Sequence, residues 1–319
     1  MRGLLVVNPK ATATTDRTRD VLIHALADQF DLETVRTDHR GHAMELGARA
    51  VVEGLDIVVT LGGDGTVNET VNGIMSARGD RSAAELPALG AVPGGSANVF
   101  TRALGFPMDP VEATGELVAA IRDDRTTLVC LAHAEGTRAD GENFARWITF
   151  NAGLGLDAEI IHSMEAQRAK GKEATPTRYL VTSVRSFFTA VDRKAPAITL
   201  DVPADGEIDN VHMAIIQNAS PWTYLGTLPV NPLPDVTWEN GLGVWAVRRM
   251  RFVDGIRYSR RMLMKSRAGS TKHLYVGIDL GSFTAACDPP VALQIDGEGL
   301  GEITSAKFTS HPEMLREYC

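Results

Sequence analysis

The chain has 319 residues, of which 44% are hydrophobic and 23% are charged, and its formal net charge at pH 7 is −8. This is the composition of an ordinary globular protein, and the length favours two domains over one. The negative charge argues against general nucleic-acid binding, and the three scattered cysteines are too few for a disulfide framework or a metal cluster.

No apolar run approaches the roughly 18–20 residues that cross a bilayer. The apolar stretch near Met1 is also too short for a signal peptide. We therefore expect a cytoplasmic protein whose cysteines are reduced thiols.

Residues 1–125 alternate short apolar runs with segments of helical periodicity. This alternation predicts a parallel sheet with helices on both faces, a Rossmann-like three-layer α/β domain. The strands are predicted at Gly3–Val7, Leu32–Val35, Leu55–Leu61 and Ala88–Val92, and the helices at Asp16–Phe30, His42–Val52, Val67–Ala77 and Asn98–Leu104.

A glycine-rich turn, Gly62 to Glu69, follows the third predicted strand and precedes a helix that we expect to begin near Thr66. Glycine lets a phosphate approach the backbone, and a helix N-terminus directs N–H groups at the anion. Because Asp64 would repel bare phosphate, the turn favours a nucleotide that carries Mg²⁺. Two further loops, Asn8–Thr12 and Pro93–Asn98, follow neighbouring strands, so all three are expected at the ligand-binding edge of the sheet.

From about Thr126 the sequence changes to short β-like runs separated by Gly, Pro, Asn and Asp. This pattern predicts a second, mainly antiparallel β domain, 126–302. Within it, the segment 248–273 carries nine Lys or Arg residues and one acid. Two interpretations of this segment stay open. It forms either a basic amphipathic helix that lies on an anionic membrane, or a helix whose apolar stripe packs against the protein while its charged face is solvated.

Taken in order, these motifs resemble the diacylglycerol kinase catalytic family, which includes soluble bacterial diacylglycerol kinases and the related sphingosine kinases. The resemblance rests on Asn8-Pro9, Gly62–Glu69, Pro93–Asn98, Gly153–Ala158 and Asp296-Gly297-Glu298. NAD kinases share the Gly-Gly-Asp-Gly-Thr core, whereas the Asn68-Glu69 extension is typical of the lipid kinases. The resemblance also implies that residues from about 303 to 319 return to the first domain and complete it.

The resemblance implies roles for individual residues. Asp296 is expected to be the catalytic base with Glu298 in support, and Asp64 acts through Mg²⁺. ATP is expected to contact residues of four segments, namely Asn8, Pro9, Lys10, Ala11 and Thr12; Thr37; Gly62, Gly63, Asp64, Gly65, Thr66, Val67 and Asn68; and Gly94, Gly95, Ser96 and Asn98.

Two departures from the family pattern bear on function. Val99 stands where the family commonly has an Asp. A structural Mg²⁺ site of bacterial relatives corresponds to Thr237, Glu239, Asn240 and Leu242, where neutral Asn240 replaces an Asp and weakens the site for a hard cation.

The sequence thus predicts an ATP- and Mg²⁺-dependent lipid kinase with diacylglycerol as the expected acceptor. It is expected to be peripheral at the inner membrane leaflet, with 248–273 as a contact to anionic lipid. The alternatives are a NAD kinase-like enzyme with a soluble acceptor and a nucleotide-binding regulator without catalysis. No nucleic-acid partner is expected. The oligomeric state is left open, with a homodimer among the alternatives.

Overall fold

A computed structural model describes residues 1–11, 15–28, 30–155, 158, 196–264 and 269–319. Three features that the sequence predicts lie outside this part of the chain, namely Thr12 in the first loop, Leu156 and Asp157 of the 153–158 motif, and a helix that the sequence pattern favours at 176–191.

The described chain divides into two compact units. Unit 1 contains Met1–Leu131 and Pro312–Cys319, and unit 2 contains Ala132–His311. The boundary expected from the sequence is at residue 125, and the expected return is at about 303. The first unit therefore extends a little further than expected, and the returning segment that belongs to it is shorter.

Unit 1 is built on a parallel sheet whose strand order is β16-β4-β3-β1-β2. Every residue of β3 and β4 is buried, as expected for strands covered on both faces. The strands are β1 (Arg2–Val7), β2 (Asp31–Arg36), β3 (Ile57–Gly62) and β4 (Ala88–Pro93), joined by the end of β16 (Glu298–Tyr318). The helices are α1 (Asp16–Ala27), α2 (His42–Val52), α3 (Asp64–Ser76), α4 (Val99–Ala103) and α5 (Pro110–Arg122).

The two faces of this sheet pack against different helices. Leu5 and Val7 of β1 share a core with Leu22 of α1 and Leu117 of α5. On the other side, α2 and α3 contact each other and the strands β1 and β3. The helix starts are locally encoded, because Thr15 Oγ1 accepts the N–H of Thr18 at 3.2 Å and Asp109 caps α5 ahead of Pro110.

Unit 2 is mainly antiparallel, with the strand order β14-β13-β10-β7-β15-β16. Strands β8 and β9 extend from β15, β6 pairs with β5, and β11 with β12 forms a separate hairpin. The strands are β5 (Thr126–Arg138), β6 (Asn143–Ile148), β7 (Asn151–Gly155), β8 (Ile198–Val202), β9 (Gly206–Val211), β10 (Met213–Gln217), β11 (Thr223–Leu225), β12 (Leu228–Val230), β13 (Leu242–Val247), β14 (Leu274–Leu280) and β15 (Ser282–Ile295). The basic segment forms a helix, α6 (Phe252–Leu263).

Candidate active site

The glycine loops after β3 and β4 press against each other through their backbones. The N–H of Gly94 donates to the carbonyl oxygen of Gly62 at 2.7 Å. A Cβ added at Gly95 would lie 2.8 Å from the Cα of Gly63, closer than real Cβ contacts allow. Glycine at these positions allows phosphate to approach the backbone, and it also allows the two loops to meet, because no side chains stand between them.

Helix α3 begins at Asp64, two residues earlier than the start expected near Thr66. Gly63 is extended and forms the N-cap, so Asp64 and Gly65 lie in the first helical turn with Thr66. This places a carboxylate where first-turn N–H groups lack intrahelical acceptors. Asp64 Oδ1 accepts the backbone N–H of Phe100 at 3.0 Å, which links the first glycine loop to the start of α4.

Asn8 organises the loop that follows β1. Its side-chain amide donates to Thr66 Oγ1 at 3.1 Å, and its side-chain oxygen accepts the N–H of Lys10 at 2.9 Å. The N–H of Ala11 donates to the carbonyl oxygen of Asn8 at 3.1 Å. Pro9 and Lys10 are exposed beside them. The Asn8–Thr66 contact therefore joins the predicted segment after β1 to the glycine-rich segment after β3.

Asn98 closes the second glycine loop with its own side chain. Its Oδ1 accepts the N–H of Gly95 at 2.8 Å and its Nδ2 donates to the Gly95 carbonyl oxygen at 2.8 Å. The residue adopts a left-handed backbone with φ of 47°, a conformation that Asn tolerates well. Asn98 is buried whereas Ser96 is exposed, so the amide shapes the loop and the hydroxyl faces outward. Val99 is also buried, at the first position of α4.

The Asn68-Glu69 pair connects α3 to its surroundings. Asn68 is buried, and its Oδ1 accepts the Asn72 amide at 3.1 Å. Glu69 Oε1 accepts the N–H of Gly41 at 3.0 Å, which ties the loop that follows Thr37 to α3. Val67 is a buried core residue, so a ligand would meet its backbone rather than its side chain.

The loop after β2 carries a cluster of Asp38, His39 and His42. Asp38 bonds both imidazoles, and His39 Nε2 lies 3.1 Å from Glu45 Oε1. These carboxylates raise the pKa of His39, Glu45 contributing most, and the hydrogen bond from His39 lowers the pKa of Asp38. The imidazole rings are stacked and nearly parallel, with centroids 4.8 Å apart. A metal ion bound by an imidazole nitrogen lies in the plane of that ring, so in this arrangement one ion cannot be bound by both histidines. Thr37 precedes the cluster and donates its N–H to Val7.

Asp296 is buried in unit 2, with 3% of its surface exposed, and is held by residues 149–151. Its Oδ2 accepts the N–H and the hydroxyl of Thr149 at 2.7 and 2.6 Å, and its Oδ1 accepts the N–H groups of Phe150 and Asn151 at 2.9 Å each. Burial raises the pKa of Asp296, and these hydrogen bonds oppose that shift. Four donors fill the acceptor positions that a carboxylate offers.

Glu298, two residues further on, is in a different environment. Its Oε2 lies 3.3 Å from Arg146 Nη2, and both side chains retain partial exposure. Of the two carboxylates, Glu298 is the one that solvent reaches more easily. Thr149, Phe150 and Asn151 could not be predicted as partners of Asp296, because all three donate backbone N–H groups, which no residue type reveals.

The predicted metal loop is a self-bonded turn. The hydroxyl of Thr237 bonds to Asn240 Oδ1, and the carbonyl oxygen of Thr237 accepts the Asn240 N–H at 3.3 Å. Glu239 uses its N–H on Thr237 Oγ1, and Leu242 begins β13. The carboxylate that reaches the turn is Asp279, which accepts the Gly241 N–H at 2.7 Å. This donor arrangement fits a hard cation poorly, and the metal at 237–242 stays a prediction.

Residues 2–129 match the family model of the diacylglycerol kinase catalytic domain. The resemblance inferred from the motifs is confirmed over these residues. The matched domain includes the glycine loops and Asp64, but not Asp296 or Glu298.

Curated relatives carry kinase names. A lipid kinase YegS-like protein from Xanthomonas oryzae pv. oryzae (strain MAFF 311018) is 29% identical over 181 residues, which are 56% of this chain and 54% of that protein. A diacylglycerol kinase from Staphylococcus haemolyticus (strain JCSC1435) is 38% identical over 110 residues, 34% of this chain and 30% of that protein. The chain thus spans about half the length of the first of these relatives, and less of the second.

Solved structures extend the likeness in fold to the whole chain. A diacylglycerol kinase from Bacillus anthracis str. Sterne has a TM-score of 0.71 at 20% identity, with 99% of this chain and 96% of that chain covered. Yeast NADH kinase has a TM-score of 0.53 at 11% identity, covering 100% of this chain and 83% of that chain. At these identities the likeness concerns the fold alone. The predicted class, an α/β domain with a mainly antiparallel β domain, is confirmed.

Proposed function

We propose that this protein is an ATP-dependent lipid kinase that transfers the γ-phosphate to a lipid hydroxyl, with diacylglycerol as the acceptor. The observation that carries the proposal is the pair of interlocked glycine loops at Gly62–Gly65 and Gly94-Gly95, in a domain that matches the diacylglycerol kinase family. The names of the curated relatives support the lipid acceptor.

The polyphosphate would bind at the two glycine loops and the α3 N-terminus. Ser96 of the second loop would also meet the phosphates, and the remaining predicted contacts, Asn8–Ala11 and Thr37, would bind the rest of the nucleotide. Asp64 supplies a carboxylate at the same helix end, and one carboxylate with phosphate oxygens and water is a donor set that suits Mg²⁺. When bound, this cation would neutralise charge on the transferring phosphoryl group.

Glu298 is the better candidate for the base, and Asp296 the better candidate for a positioning residue. A base must accept the proton of the attacking hydroxyl as the bond to phosphorus forms. The four hydrogen bonds to Asp296 occupy its oxygens, whereas the Glu298 carboxylate is partly exposed beside Arg146. This assignment reverses the order of roles that the family resemblance suggests.

The test is transfer of radiolabel from ATP to a panel of lipids, with mass detection of the product. We expect activity for the wild type and its loss in Asp64→Asn and Glu298→Gln, with retained folding. Equal activity of the three proteins would remove the roles assigned to these carboxylates.

An NAD kinase-like activity is the second candidate, because the yeast NADH kinase shares the fold. It predicts phosphorylation of NAD without lipid or detergent, so the same assay with NAD as acceptor separates the two. Nucleotide binding without transfer to any acceptor would instead indicate a regulator, for which Val99 and Asn240 are the sequence arguments.

A further inference from the structure

Helix α6 has one face seated in unit 2 and another face that is exposed. Arg249 donates two hydrogen bonds to the buried carboxylate of Asp254, at 2.7 and 2.9 Å. Tyr258 packs against Trp245 and donates its hydroxyl to the carbonyl oxygen of His273 at 3.1 Å. Met262 is partly buried in the same core, so the helix is held at intervals of four residues along its inner side.

The opposite side of α6 is unusually apolar for an exposed surface. Val253 is 72% exposed, Ile256 56%, Leu263 39% and Met264 60%. These are four of the eleven large apolar side chains that are exposed among the described residues, and they lie within twelve positions of each other. At 100° per residue they share one side of the helix, which a water-facing helix would not maintain.

Two arginines lie on this same side. Arg257 and Arg260 are exposed and, by helical spacing, flank Val253 and Ile256. A helix that presents large apolar side chains together with arginines suits an anionic bilayer surface, since the apolar groups enter the acyl boundary and the guanidinium groups meet lipid phosphates. A second copy of this face would match the apolar groups but would bring arginines against arginines, because the face holds no carboxylate and Asp254 is buried on the inner side.

We propose that the outer face of α6, defined by Val253, Ile256, Arg257, Arg260, Leu263 and Met264, docks on an anionic lipid bilayer. The proposal deepens the proposed function, because it names the surface through which a lipid kinase would reach its acceptor. The helix lies at the interface and does not cross it. Within the described residues, no helix meets the length and hydropathy required of a membrane span.

The test is co-sedimentation with two kinds of vesicle, pure phosphatidylcholine and an equal mixture of phosphatidylcholine and phosphatidylglycerol. We expect the wild type to bind the mixed vesicles, and to bind less at high salt because ions screen the arginines. Replacing Arg257 and Arg260 by Gln should weaken binding by about 25-fold, roughly five-fold per charge. Replacing Val253 and Ile256 by Ser should weaken it by about ten-fold or more.

Matched controls come from unit 1. Val52→Ser removes an equally exposed valine from the end of α2, and Arg17→Gln removes an exposed arginine from α1. Both should bind as the wild type does. The α6 variants leave Asp254, Tyr258 and Met262 in place, so their unfolding midpoints should also match the wild type.

The proposal is overturned if the α6 variants sediment with mixed vesicles as the wild type does, or if pure phosphatidylcholine binds equally well. It is also overturned if light scattering shows that the wild type is a dimer and the Ser variants are monomers, since a second copy would then cover this face. Sedimentation does not require catalysis. A wild type that binds vesicles but phosphorylates no lipid would therefore contradict the proposed function and leave the docking surface standing.

Discussion

Replacing Asp296 by Asn should destabilise unit 2 before it affects any chemistry. The substitution keeps Oδ1, with its two backbone donors, but puts an amide NH₂ against the Thr149 N–H, 2.7 Å from the present Oδ2. The Thr149 hydroxyl can rotate to accept from the new amide, whereas the backbone N–H cannot. One lost charge-assisted hydrogen bond and one buried donor without a partner cost about 2–4 kcal/mol in the free energy of unfolding.

Glu298→Gln is the matched comparison. It is also a carboxylate-to-amide change, two positions away, but its partner Arg146 lies at 3.3 Å and both side chains are partly exposed. The free energy of unfolding should therefore fall by less than about 1 kcal/mol. We expect the opposite order in catalysis, with Glu298→Gln losing phosphate transfer at nearly unchanged stability.

Urea unfolding followed by tryptophan fluorescence is a suitable assay. All four tryptophans lie within residues 132–311, so the signal reports on unit 2. An Asp296→Asn midpoint within error of the wild type would refute the anchoring role derived from the four hydrogen bonds. If that stable variant also transferred no phosphate, the role of base would return to Asp296.

Three further predictions concern unit 1. Gly95→Ala should sharply reduce ATP binding measured by calorimetry, because the added Cβ meets Gly63, whereas Gly115→Ala in α5, where nothing lies within 4 Å, should bind normally. Glu69→Ala should raise the KM for ATP a few-fold, because it removes the carboxylate that accepts the Gly41 N–H, a hydrogen bond worth about 1 kcal/mol. Glu53→Ala, at the C-terminal end of α2, is the control and should leave the KM unchanged. Glu317 is buried, and burial raises its pKa well above the usual range of a carboxyl group. Its protonated form therefore contributes to the stability of the folded protein at pH values below the pKa of the unfolded chain. This contribution is lost as the pH rises toward the pKa of the folded state. Glu317→Gln should therefore raise the thermal midpoint more at pH 8 than at pH 5, and an equal shift at both values would contradict the burial argument.

Much of the fold follows from local patterns. The observed limits of α2 are those of the predicted run His42–Val52, because its apolar periodicity continues to both ends of the helix. The start of α3 was predicted two residues late, since an extended Gly63 can cap a helix without a side chain. Strand β5 has 13 residues, but its burial does not alternate and its last four residues are partly or fully exposed, so no local pattern marks its limits.

The site was predictable in its location and less so in its contacts. Glycine loops after strands mark a phosphate site from sequence alone, and unit 1 brings Asn8, Thr66 and both loops together. The environment of Asp296 depends on residues about 146 positions away, which fold beside it through the pairing of β15 with β7. No local pattern distinguishes that buried carboxylate from the more accessible Glu298.

Several motif residues serve the backbone directly. Asn98 closes its own loop, Asp64 accepts from Phe100, and Asp296 accepts from three consecutive backbone N–H groups. Loss of activity after mutation of such a residue therefore has two sources, a missing chemical group and a displaced loop. Only variants whose unfolding midpoint is preserved can assign chemistry, which is why Glu298→Gln is more informative about the base than Asp296→Asn. The same reasoning makes α6 a suitable place to test membrane contact, because, among the described residues, the core that its inner face completes does not include Val253, Ile256, Leu263 or Met264.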